Sequence, residues 1–130
     1  MSISWKYVKP LKEGSKVKEY VRKNRLDLPD DLIHLLESNN GGRPSDKTIQ
    51  TDAGMEYVFK NLFSFNEEDI ETIYKIYPVV LGDTSLFPFG SDSAGNLTCY
   101  DMESGKYVLY NHETGNAELI VDFPALDHIL

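Results

Sequence analysis

Leu86-Phe87-Pro88-Phe89-Gly90-Ser91-Asp92-Ser93-Ala94-Gly95-Asn96-Leu97-Thr98-Cys99-Tyr100-Asp101 is the stretch that decides the fold. Two apolar runs, Leu86 to Phe89 and Leu97 to Tyr100, flank a polar loop with two glycines. Glycine tolerates positive φ at no steric cost, so Gly90 and Gly95-Asn96 supply the backbone freedom a reversal needs. The β-branched and aromatic residues on either side suit half-buried strands. The stretch predicts a hairpin at the heart of a sheet.

Downstream, Ser104-Gly105 reads as a turn, Lys106 to Tyr110 as a strand, His112 to Asn116 as a turn, and Ala117 to Val121 as a strand. Leu86 to Val121 is therefore an antiparallel meander. Asp122 then caps a closing helix with Phe123, Leu126 and Ile129 or Leu130 facing inward. Upstream, Val79-Val80-Leu81 is a short apolar run and Gly82-Asp83-Thr84 a turn. Before it, Asn66-Glu67-Glu68-Asp69 reads as an N-cap and an acidic first turn. The helix it opens carries Ile70, Ile73, Tyr74 and Tyr77 at i, i+3, i+4 and i+7, and Pro78 ends it. The acidic trio invites a metal reading, but the helix dipole alone accounts for it.

Residues 48–52 and 57–63 read as strands. Leu28 to Gly42 is the clearest helix, with Pro29 in its first turn and Asp30 and Asp31 at the favourable end of the dipole. Leu32, Ile33, Leu35 and Leu36 form its buried stripe, and Asn40-Gly41 offers a left-handed stop. Ser15 caps a shorter helix with Val17, Tyr20 and Val21 on its inner face and Lys16, Lys18, Arg22 and Lys23 outside. Trp5, Tyr7 and Val8 read as an anchor, the indole covering the core edge.

A chain of 130 residues fits one domain, residues 1–130, without a linker or repeat. Cys99 is the only cysteine, which suits a reducing compartment. No apolar run approaches the ~20 residues of a membrane span, and Met1 to Lys6 lacks a signal-peptide core. The expected location is the cytoplasm. Net charge is −8, unevenly spread: residues 1–25 hold eight Lys/Arg against two Glu, the remainder five basic against nineteen acidic side chains. An acidic body favours a basic protein partner and repels nucleic acid and anionic membrane.

Catalysis needs convergent groups, and the inventory is thin. His34, His112 and His128 fall in a helix, a turn and the tail, with no HxxxH or HExxH spacing. Cys99 sits in an apolar strand, where a thiol is inert filling. Gly90 to Gly95 lacks the Lys-Ser/Thr of a P-loop, and Asp92 to Asn96 lacks the spaced acids of a calcium loop. Asp92, Asp101 and Glu103 could pair as carboxylates, but any acidic chain offers such pairs. No enzyme, metal or cofactor is expected.

Trp5, Leu28-Pro29 entering a helix, Asn40-Gly41-Gly42 ending it, Phe87-Pro88-Phe89-Gly90, Asp92, Gly95-Asn96 and Cys99-Tyr100-Asp101 come in that order, followed by a closing strand and helix from Glu118 to Leu130. This pattern resembles the SUKH superfamily, in its Smi/Knr-type branch, from about Trp5 to the C-terminus. Thr98 and Cys99 depart from it where the family often shows further aromatics. The resemblance implies an α+β fold, helices packed around a twisted, mainly antiparallel sheet, in agreement with the residues. It carries Trp5, Leu28, Pro29, Gly41, Gly42, Phe89, Gly90, Gly95 and Asn96 as structural positions.

The resemblance also implies that most bacterial members are immunity proteins, which neutralise a toxin domain, often a nuclease, of a polymorphic or contact-dependent toxin system. Eukaryotic relatives serve as regulatory or scaffold proteins. The expected partner is a basic nuclease toxin, with no direct nucleic-acid or membrane contact. Asp83, Asp92, Asp101 and Glu103, at or near turns bordering the hairpin, are the candidate contacts, because acids there can stay exposed on a rigid platform. A regulatory scaffold is the alternative, and a small hydrolase using Asp92, Asp101 or a histidine the third.

Overall fold

Leu86–Asp92 and Leu97–Asp101 pair antiparallel, with Phe87 opposite Tyr100 and Ser91 opposite Leu97. The hairpin is the one the opening stretch predicts. It belongs to a computed structural model that describes residues 3–75 and 84–130. The elements in chain order are β1 (Trp5–Lys6), α1 (Lys16–Lys23), α2 (Asp30–Ser38), β2 (Arg43–Pro44), β3 (Thr48–Thr51), β4 (Glu56–Leu62), β5 (Leu86–Asp92), β6 (Leu97–Asp101), β7 (Lys106–Asn111) and β8 (Asn116–Asp122). Single 3-10 turns lie at Ile73–Lys75 and Pro124–Leu126. No helix among them is long and apolar enough to cross a membrane.

The meander β5-β6-β7-β8 is present as predicted, and two helices beside a dominant antiparallel sheet make the class α+β. The sheet goes further than the sequence reading: β3 pairs with both β4 and β8 and closes a six-stranded barrel. Glu118 of β8 fastens the seam, accepting hydrogen bonds from Thr51 Oγ1 (2.7 Å) on β3 and Tyr57 OH (3.0 Å) on β4. Bending strands into a barrel this small calls for bulges. One falls between Phe59 and Asn61 of β4, a second between Pro88 and Gly90 of β5, and a third between Gln50 and Thr51 of β3 where it pairs with β8. Pro88, which has no N–H to give a ladder, sits at the second.

Gly90 therefore has a different task from the one its sequence context suggests. It lies inside β5 and turns nothing. A Cβ there would stand 2.8 Å from two ring carbons of Phe59 and 3.0 Å from the Asn61 carbonyl oxygen. The glycine lets two bulged strands approach across a buried ring. Gly95, with φ +89°, is the residue that makes the reversal.

One continuous core joins the barrel to both helices. Phe59, Phe87, Phe89 and Phe123 are fully buried, each contributing about 2–3 kcal/mol by area removed from water. Val17 and Tyr20 of α1 and Leu32, Leu35 and Leu36 of α2 close it from outside. Phe89 meets Tyr107 edge-on at 6.0 Å, and Tyr20 meets Phe65 likewise at 5.4 Å. Ser15 stands at the N-terminus of α1 but makes no side-chain cap bond. Pro29 precedes α2 in extended conformation, one position earlier than expected, and its carbonyl accepts from Leu32 N and Ile33 N. Trp5 packs on the core edge, its Cε3 facing Gly42 so closely that a Cβ there would lie 3.2 Å away. Gly41 takes the left-handed conformation (φ +68°) after α2.

Two expected helices are absent among the described residues. Asp122 ends β8, opposite Gln50, instead of capping a helix. Only the 3-10 turn at Pro124–Leu126 follows, and it still buries Phe123 and Leu126, with Ile129 packed behind. The helix expected from Asn66 is replaced by a loop, a parallel bridge between Ser64 and Thr72, and the 3-10 turn at Ile73–Lys75. Tyr77, Pro78, Val79-Val80-Leu81 and Gly82-Asp83 lie outside the described residues.

The loop wins because distant groups claim its polar atoms. Asn40, wholly buried, accepts from Phe65 N (2.7 Å) and donates to Ser64 Oγ (2.9 Å) and Lys9 O (2.8 Å). Asn66 Oδ1 accepts from Lys12 N and its amide donates to Pro10 O, so it bridges to the N-terminal segment and caps no helix.

Candidate partner-binding surface

The structure separates the acids that the sequence grouped. Asp92 is 3% exposed. Its Oδ1 accepts from Ala94 N (2.9 Å) and Asn96 N (2.7 Å), and its Oδ2 from Asn96 Nδ2 (2.9 Å). Asn96 Oδ1 in turn accepts from His112 N (3.1 Å), and His112 Nε2 lies 2.8 Å from Ala94 O. The carboxylate staples the β5-β6 turn to the β7-β8 turn. Asp92 is thus corrected from a surface contact to an internal fastener: the turn leaves two backbone N–H donors in need of an acceptor, the Asn96 side-chain amide adds a third, and the nearest acid is drawn in.

Asp101 and Glu103 sit together at the opposite end of β6, in the turn to β7. Asp101 Oδ1 accepts from Ser85 Oγ, Glu103 N and Ser104 N. The Ser85 hydroxyl and these turn N–H groups hold its carboxyl below the ordinary carboxylate value. Asp101 is partly exposed, and Glu103 is exposed. Asp83 lies outside the described residues. Among the described candidates, buried Asp92 therefore forms no patch with Asp101 and Glu103.

The structure instead builds a surface from the segment that was read as a helix. Glu67, Glu68 and Ile70 are exposed, Asp69 and Glu71 half-buried, and Ile70 is 82% exposed. Ser64 holds both ends of this loop. Its Oγ donates to Asp69 Oδ2 (2.5 Å), its N–H to Glu71 O (2.9 Å), and its carbonyl accepts from Ile73 N (2.9 Å). Tyr74 OH adds a bond to Phe65 O (2.8 Å). An isoleucine is thus presented to solvent on a fixed acidic loop.

The basic N-terminal segment meets these acids. Lys12 pairs with Glu68, Lys16 with Glu67 (3.1 Å) and Lys60 of β4 with Glu71 (3.0 Å). The Lys12 ammonium holds the Glu68 carboxyl below its usual range. The Lys12–Glu68 pair is exposed and the other two are partly exposed, so solvent screens all three and they can exchange partners. A cleft of about 390 Å³ is lined by Glu68, Asp69, Ile70 and Glu71 of this loop together with Lys9, Arg43 and Asn61. A second cleft, about 410 Å³, brings His34 and His128 together beside Trp5 and Asp31. Burial pushes the Cys99 thiol up, which suits filling.

The acidic loop was missed because acids and apolar residues at helical spacing fit a capped helix equally well. The signal that could have marked it is Ser64 and Asn66 flanking Phe65, polar groups too close to a buried ring to be left without partners.

A family model described as SMI1-KNR4 cell-wall (SUKH_6) matches residues 16–123. No curated protein and no solved structure gave a significant match.

Proposed function

The chain belongs to the SUKH family of the SMI1-KNR4 type, and from that premise we propose that it is an immunity protein. It binds the toxin domain of a polymorphic or contact-dependent system and acts by occupying a surface, with no turnover of its own. The observation that carries the reading is the acidic loop Glu67–Glu71, held rigid by Ser64 while Ile70 stands in solvent. An exposed apolar residue ringed by charge is how a docking surface combines a desolvated anchor with steering. Nuclease clefts that attract phosphate are basic, so an acidic face competes for the same field and speeds encounter. The cytoplasm is the compartment in which such a toxin acts on nucleic acid.

The test is to look for a large toxin gene beside this one and co-express its product with this chain, read as rescue of growth and co-purification. Reversing the charges of Glu67, Glu68, Asp69 and Glu71 together should slow association more than any single change, because steering depends on the summed field. Full protection by that quadruple variant would remove this surface. The absence of any neighbouring toxin would leave the regulatory scaffold in front, the reading that the words "cell-wall" in the family description favour.

A further inference from the structure

One stripe of α2 lines the second cleft, away from the acidic loop. Asp31, His34, Leu35 and Ser38 stand at i, i+3, i+4 and i+7, the spacing of a single helical face, and all four border a space of about 410 Å³. Asn39 just after the helix, Trp5 of β1 and His128 of the C-terminal tail complete the lining. Leu35 is buried and belongs to the core, so the cleft has an apolar base. Trp5 is placed by its pairing with Pro44, beside two hydrogen bonds that run from Ser45 N to Ser4 O (2.7 Å) and from Ser4 N to Ser45 Oγ (3.1 Å). Its side chain is only half-buried, so part of the indole stays open.

The polar groups of this lining are not used by the fold. Asn39 donates Nδ2 to Leu35 O (3.1 Å) and keeps its Oδ1. His34 Nδ1 stands 4.0 Å from Glu37 Oε1, beyond hydrogen-bond range. The side chains of Asp31, Ser38 and His128 make no hydrogen bond or ion pair with the described residues. Among those residues no three of His, Cys, Asp and Glu are placed to hold a metal, so the two imidazoles here act as hydrogen-bonding groups.

We infer that this cleft binds one pyranose ring of a neutral glycan, packed on Trp5 and hydrogen-bonded by the α2 stripe and His128. A sugar ring carries C–H groups on its faces, which pack against an aromatic ring, and hydroxyls on its rim, each of which both donates and accepts. The cleft offers the matching set: an indole and a leucine for the C–H face, and a carboxylate, a hydroxyl, an amide oxygen and two imidazoles for the rim. Ionic ligands fit it less well. No lysine or arginine lines it to hold an anion, and a cation would meet one carboxylate beside two imidazoles. The volume falls within the range of ligand clefts, about 300–1,000 Å³. The inference does not depend on the toxin reading, since the two surfaces share no residue.

Trp5 is the only tryptophan, so indole emission reports on this cleft alone. The experiment titrates the full chain with cellobiose, maltose and N,N′-diacetylchitobiose, following tryptophan fluorescence and, on isotope-labelled protein, the Trp5 indole N–H resonance. The expected result is a saturable change with at least one disaccharide and none with glycerol, which has hydroxyls but no ring. Asp31→Ala should weaken that binding about tenfold and His128→Ala, in the exposed tail, about threefold. Lys23→Ala, on α1 and outside the cleft, should change nothing. Circular dichroism of each variant checks that the fold is intact. Silence with all three sugars, an equal response to glycerol, or saturation by tetramethylammonium instead would each overturn the inference. So would sugar binding that survives Asp31→Ala and His128→Ala together.

Discussion

The hairpin from Leu86 to Asp101 and the segment from Phe63 to Lys75 carry comparable local signals, yet only the first becomes what those signals predict. In the hairpin, local and distant demands agree: Gly95 takes the positive φ its turn needs, and β6 finds β5 and β7 on either side. In the segment they conflict. Ile70, Ile73 and Tyr74 have helical spacing, but Asn40 has already taken Phe65 N, and Ser64 has taken the ends of the acidic loop. Helix propensity amounts to a few tenths of a kcal/mol per residue, whereas each buried hydrogen bond left broken costs about 1–3 kcal/mol. The distant partners win.

Removing the amide that overrides the local pattern should therefore have a large effect. Asn40→Ala strands Phe65 N and takes one donor each from Lys9 O and the Ser64 hydroxyl, and should destabilise the protein by about 2–3 kcal/mol. Urea unfolding followed by circular dichroism measures this. A loss under 1 kcal/mol would mean the segment holds itself in place.

The two glycines of the hairpin stretch sharpen the comparison next, since one substitution tests two causes. Gly90→Val drives a branched side chain into the Phe59 ring and should cost about 3 kcal/mol, partly recovered in a Gly90→Val/Phe59→Leu double variant. Gly95→Val meets nothing closer than His112 at 3.5 Å but must hold φ +89°, so it should cost about 1–2 kcal/mol with no rescue from Phe59→Leu. Identical rescue in both would mean that the two glycines share one role.

Asp101 gives a smaller effect, seen through pH. Its folded carboxyl is held below its ordinary value of 3.8, so the stability it contributes is present above that value and is lost as pH falls through the lowered one. Asp101→Asn should be less stable than the parent by under about 1 kcal/mol at neutral pH, with the gap closing in acid. A gap that widens below pH 3.8 would reverse the sign and the assignment.

How much of this was legible follows from where each determinant sits. The meander from Leu86 to Val121 was readable because its turns lie between the strands they join. Closure of the barrel was not, because the seam joins Thr51 to Ile120 and is fastened by Glu118 across sixty-odd residues. Asp92 was legible as a turn residue and illegible as a buried one, since the two backbone N–H groups and the Asn96 side-chain amide that draw it in converge only once the turn has formed. Gly90 was mistaken for a turn residue because a sequence shows the missing Cβ but not the ring pressed against it. The cleft was invisible: Asn61, Asp69 and Glu71 converge only through a loop that local patterning calls a helix.

The smallest expected effect separates the two readings of that segment most cleanly. On a capped helix Ile70 would share the buried stripe with Ile73, and replacing either by serine would cost about 2–4 kcal/mol in lost burial. In the observed loop Ile70 is 82% exposed and Ile73 only 1%. Ile70→Ser should then leave stability within about 0.5 kcal/mol of the parent, while Ile73→Ser loses the full burial term. Parallel unfolding curves of the two variants measure the difference directly. Equal losses would restore the helix and dissolve the acidic loop as a presented surface; a neutral Ile70→Ser beside a damaged Ile73→Ser leaves an isoleucine in solvent that the fold does not use.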